Sequence, residues 1–233
     1  MVTTFPTYGF RFFFEYDFLG LVIRDPITSL GNLLLFFVGL WCCRKIAKIN
    51  NDASKEVRAG LRGWQLFFLI SAIAYSFGVP VHAFSFYIPI EIHFWLWITM
   101  GWIQIVGVYF IQVGTAKRYF ADHVKWIRPL ALLQILFFCA LMVYKRKFGA
   151  VNIDIAVGLV PIAFWNFYLY AKKKIPSALI GIGILFAGIP GILFAFKIMI
   201  APWFSYNDAA HLLLIASLLM IYRGVVKNEE INN

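Results

Sequence analysis

Seven long apolar runs, at residues 26–43, 64–86, 92–115, 127–144, 149–171, 176–198 and 208–222, constrain this chain more than any other feature. Each lies near the roughly 20 residues that an α-helix needs to cross about 30 Å of hydrocarbon. In lipid, only helices and closed barrels satisfy every backbone N–H and C=O, and barrel strands alternate apolar with polar residues. These runs do not alternate, so the sequence predicts an all-α fold, a seven-transmembrane helical bundle. With 62% hydrophobic and only 14% charged residues, a soluble globule is excluded. An aromatic share of 19% likewise excludes a disordered or collagen-like chain.

Charge sets the expected orientation. Fifteen of the 21 Lys and Arg fall after the first, third, fifth and seventh runs, among them Arg44, Lys45, Arg118, Arg128 and Lys172 to Lys174. The positive-inside rule then places the N-terminus outside and the C-terminus in the cytoplasm, in a multi-pass protein of the plasma (inner) membrane. Only the Lys145 to Lys147 cluster argues against it. The same rule accounts for the net charge of +10 without a nucleic-acid partner. The expected division is an aromatic interfacial segment at 1–25, a membrane domain at 26–222 and a short polar cytoplasmic tail at 223–233. The N-terminus lacks the basic start and cleavage site of a secretory signal and reads as mature protein. Cys42, Cys43 and Cys139 lie inside apolar runs and form no disulfide framework.

An ionisable side chain within a membrane helix is costly and is a functional-site hypothesis by default. His123 falls in a basic loop, but His82, His93 and His211 all fall at helix ends on the side expected to face outward. Three imidazoles at one depth suit zinc, which binds His nitrogen and in catalytic sites keeps a fourth position for water. Such a water ionises near neutral pH and attacks an amide or ester carbonyl. Glu91, two residues before His93, and Asp208, three before His211, are the expected catalytic carboxylates, with Asp154 as a third candidate. The competing reading is structural. Interfacial histidines commonly bond to backbone or water, and Asp208 beside Asn207 suits a helix cap. A polar stripe of Ser71, Tyr75, Gly78, His82 and Ser85 on the second helix marks a face turned toward protein or a cavity. Gly181, Gly183, Gly188 and Gly191 on the sixth suit close helix packing.

With its seven spans, a His late in the second helix and another early in the seventh, the chain resembles the CREST superfamily of membrane hydrolases, which includes alkaline ceramidases and the progestin and adiponectin receptors. The run Asp25-Pro26-Ile27-Thr28-Ser29-Leu30-Gly31-Asn32 is similar to the opening of the first helix in alkaline ceramidases. The chain is also similar to bacterial seven-span proteins related to that superfamily. The resemblance implies a zinc site that uses His82 and His211. The motif is degenerate, because Ile215 stands where the family has a second helix-seven His, and Gly78 where it has a Ser. The resemblance leaves His93 as a replacement ligand or the metal as lost.

Two functional expectations follow. The first is a zinc-dependent hydrolase of a lipid amide or ester at the outer leaflet, with His82, His93 and His211 on the metal and Glu91 and Asp208 in catalysis. The second is a non-catalytic seven-span protein that binds a lipid or small ligand, or a transporter. Both take a membrane lipid as partner or solvent. The sequence names neither a protein partner nor an oligomeric state.

Overall fold

The computed structural model describes residues 15–18, 20–146, 149–196, 198, 201 and 204–229. Most of the expected N-terminal interfacial segment, residues 1–14, lies outside them. The fold is all-α, with seven long helices. They are α1 (Pro26–Asp52), α2 (Lys55–Ala83), α3 (Ile90–Tyr119), α4 (Val124–Lys145), α5 (Gly149–Ala171), α6 (Leu179–Phe196) and α7 (Tyr206–Glu229). Six are long and apolar enough to cross a membrane, and α6, with 18 residues, is the shortest. Pro80, Pro129, Pro161 and Pro190 sit inside helices, a placement membrane helices tolerate because neighbours re-satisfy the freed backbone groups.

The helices outrun the apolar segments that announce them. α1 continues through Arg44, Lys45 and Lys48, and only Ala53 and Ser54 separate it from α2. Lys and Arg are good helix formers whose long stems carry the charge away from the hydrocarbon, so a basic cluster need not be a loop. α7 likewise stays helical to Glu229, beyond the expected end of the span at Tyr222.

Residues 15–24 contain an element the composition did not announce. β1 (Glu15–Phe18) and β2 (Leu21–Arg24) form an antiparallel hairpin with Phe18 opposite Leu21, turning at Gly20, whose φ of +84° favours glycine. The backbone N–H of Val22 donates to the Tyr87 hydroxyl at 2.8 Å, which pins the hairpin to the α2–α3 connection. The hairpin ends at Asp25, so the chain enters α1 beside the end of α2.

Within the bundle, α1 packs on α2, α2 on α3, α3 on α5, α5 on α6 and α6 on α7, and α7 closes the ring against α1. α4 stands outside, against α3 and α5. Its Leu130, Leu133 and Leu136 are more than 60% exposed, as suits a surface facing lipid. Lipid tails are as apolar as Leu, so helix association in a bilayer depends on close packing of small residues rather than on the hydrophobic effect. Gly63 of α2 and Gly114 of α3 meet backbone to backbone, where a Cβ on either would stand 2.8 Å from the other's Cα. On α6, Gly183 lies against α7, and Ser217 Oγ donates to the Gly183 carbonyl at 2.8 Å. Gly181 packs against α5, whereas Gly188 and Gly191 face open space, so only half of the glycine series on α6 serves packing.

Candidate functional site

The closure of α7 on α1 builds a polar centre at the end of the bundle where α1 and α7 begin and α2 finishes. Its base is a capped helix start. Ser205 Oγ accepts from Asp208 N at 3.3 Å, while Asp208 Oδ2 accepts from Ser205 N at 2.7 Å and from its hydroxyl at 2.8 Å. This is a capping box, in which two orphan donors of the first turn are satisfied reciprocally. The other carboxylate oxygen of Asp208 accepts from Thr28 Oγ1 at 2.6 Å, which ties α7 to α1. Asp208 is 6% exposed and both its oxygens are engaged. The helix-cap reading of Asp208 therefore describes its place.

One turn further along α7, His211 Nδ1 meets the Asn207 carbonyl at 2.6 Å. A carbonyl only accepts, so Nδ1 carries the proton and Nε2 holds the lone pair. Gly31 makes room for this histidine, since a Cβ there would stand 2.7 Å from His211 Cβ. Across from it, the His82 ring lies edge to face with the His211 ring, centroids 6.1 Å apart and planes at 87°. His82 Nδ1 is 3.7 Å from Asp25 Oδ2, and both side chains are under one-fifth exposed. That spacing is long for a hydrogen bond and close enough for charge pairing.

Asp25 reaches this position through an uncommon backbone conformation. Its φ of 44° and ψ of 55° are left-handed, and the residue before a proline is normally pushed toward extended conformations. It caps α1 with its carbonyl, which accepts from Ser29 N at 2.9 Å and Ser29 Oγ at 3.0 Å, and leaves its carboxylate for His82. Backbone strain of this kind clusters at functional sites. Below it, Asn32 is 2% exposed and bonds the Thr28 carbonyl at 3.0 Å. Its Oδ1 occupies the space over Gly78, where any Cβ would overlap it. A polar group thus fills the position on α2 at which the sequence offered only glycine. The stripe on α2 turns inward as its spacing predicts, with Ser71 and Tyr75 buried alongside Gly78.

His82 and His211 meet, and His93 has a different role. Its Nε2 lies 3.1 Å from the Val81 carbonyl, a bond that ties the first turns of α3 to the end of α2. Among the described residues, no group of three His, Cys, Asp or Glu side chains is placed to hold a metal ion, so the three histidines do not surround a common point. Glu91 is exposed on the first turn of α3, where a carboxylate complements the helix N-terminus. Asp154 belongs to a separate group, accepting from Gln134 Nε2 at 2.7 Å, while Gln134 Oε1 accepts from Gln112 at 3.0 Å.

The profile of a family of unknown function, DUF6962, matches residues 27–230. The chain belongs to that family. No curated protein and no solved structure matches it. The DUF6962 span takes in Thr28, Asn32, His82, Asp208 and His211 and begins two residues after Asp25. In the sequence, Asp25, Thr28 and Asn32 are legible only as part of a helix opening. The available signal was the spacing of Thr28 and Asn32, since residues at i and i+4 share one helical face.

Proposed function

We propose that this multi-pass membrane protein hydrolyses an amide or ester bond of a membrane lipid at the junction of α1, α2 and α7. The reading rests on the facing imidazoles of His82 and His211, one backed by a carboxylate and the other by a backbone carbonyl. Asp25 favours the proton on His82 Nδ1, which leaves Nε2 as a base toward water. The water oxygen attacks the carbonyl carbon, His82 takes its proton with Asp25 stabilising the imidazolium, and the proton then passes to the departing amine or alcohol. His211, held by Asn207, offers a second basic nitrogen across from it. The orientation expected from the positive-inside rule supports a site that faces the outer leaflet.

Zinc enters this reading only as far as the donors allow. A catalytic zinc usually takes three protein ligands, and the side chains as they stand supply two imidazoles. The departures from CREST hydrolases at Gly78 and Ile215 point the same way.

The engagement of Asp208 in structural hydrogen bonds and the exposure of Glu91 favour a second reading, a non-catalytic protein that binds a lipid at the same place. Fatty-acid release from a panel of lipid amides and esters, measured on chelator-free protein and on His82→Ala and His211→Ala variants, separates the two. The hydrolase reading expects release by the wild type, reduced at least about a hundredfold in the variants. No release from any lipid by folded wild-type protein would leave the binding reading. Zinc retained at one per chain and lost in both variants would restore the metal.

A further inference from the structure

The peripheral position of α4 leaves a groove of about 680 Å³ between it, α3 and α5, within the range of about 300–1,000 Å³ typical of ligand sites. One end is closed by the bonded pair Gln112 and Gln134. The walls are apolar and open sideways, with Leu130 64% and Phe164 66% exposed. At the other end Trp165 is stacked on Tyr168, with centroids 5.1 Å apart, and tilted against Phe120 at 4.5 Å.

That same end is strongly basic. The final turn of α3 carries Lys117, the first turns of α4 carry Lys125 and Arg128, and Lys172, Lys173 and Lys174 follow α5, against the single acid Asp122. Lys172 Nζ already lies 5.9 Å from the centre of the Tyr168 ring at the groove mouth. An apolar trough with Lys172 at its mouth and further basic residues at the same end is complementary to a molecule with an acyl chain and an anionic head. We propose that this groove holds an anionic phospholipid, with one chain running toward Gln112 and Gln134 and the phosphate beside Lys172 and Arg128. Basic pockets between membrane helices recognise such head groups through charge, and the apolar groove adds the requirement for a chain. The site is separate from the histidine centre, and its occupancy does not depend on hydrolysis.

Native mass spectrometry of the full-length protein in neutral detergent, titrated with phosphatidylglycerol or phosphatidylcholine of identical chains, tests this. The wild type is expected to retain one phosphatidylglycerol at a concentration about tenfold below that for phosphatidylcholine. Arg128→Gln and Lys172→Gln should each cut that preference about fivefold. Ala131→Phe, which fills the groove wall, should abolish retention in protein with an unchanged melting temperature. Equal retention of the two lipids by the wild type overturns the proposal. So does a preference that falls with charge but survives in Ala131→Phe, because the lipid would then sit on a basic surface outside the groove.

Discussion

His82 and His211, 129 positions apart in the chain, face each other edge to face with ring centroids 6.1 Å apart. The contact exists because α7 returns to α1 at Gly31, and because the hairpin before α1 delivers Asp25 to the His82 side of the pair. Each partner of the pair thus arrives from a different helix, and each can be removed separately.

Asp25→Asn keeps a residue that tolerates the left-handed conformation and removes the negative charge beside His82. Stability should change by less than about 0.5 kcal/mol, while lipid hydrolysis or ligand binding at the site falls at least tenfold. Asp25→Ala should in addition cost about 1 kcal/mol, because alanine resists φ near +44°. Thermal melts of the two variants side by side check the ordering.

Asp208→Asn should lower stability rather than chemistry. It weakens the bonds from Ser205 and Thr28 that start α7 and fasten it to α1, at a cost of about 1–3 kcal/mol. Activity per folded molecule should survive. A stable Asp208→Asn protein with no activity would return this residue to the reaction.

His93→Gln separates a two-histidine centre from a three-histidine one. Loss of the Val81 contact should cost about 1 kcal/mol, with no change in metal content or turnover. If metal or activity disappeared with His93 alone, the pairing of His82 with His211 would not be the centre.

Gly63→Leu should prevent assembly, since even a Cβ there would stand 2.6 Å from the Phe110 carbonyl oxygen and 2.8 Å from Gly114 Cα. Leu also stays apolar, so membrane insertion should be retained. Size-exclusion profiles in detergent would show the loss of the compact form.

Gln134→Leu strips Asp154 of its donor and should cost about 1 kcal/mol, the usual scale for interhelical hydrogen bonds in membranes. The double variant Gln134→Leu with Asp154→Leu should recover part of that loss, because the buried carboxylate, whose Oδ2 has no partner among the described residues, is then gone. Paired unfolding measurements would show whether the two substitutions couple.

Much of this molecule was legible in its sequence for a simple reason. A bilayer demands about 20 apolar residues per crossing, so the helices and their order follow from length and composition. The polar stripe on α2 also followed from spacing at three and four residues, and the close packing of Gly181 and Gly183 from the small size of glycine. Helix ends were less legible, because Lys and Arg prolong a helix beyond the hydrocarbon, as in α1 past Cys43.

The sequence by itself determined that His82, His93 and His211 lie at helix ends, because apolar run length fixes depth. Which imidazoles meet was decided by the tertiary structure. Depth says nothing about rotation around a helix axis or about which helices are neighbours. Those are set by contacts such as Gly31 against His211, Gly63 against Gly114 and Thr28 with Asp208, each joining residues remote in the chain. Hence His93 turned to the Val81 carbonyl, Asp208 became a helix cap, and Asp25 took the place beside His82.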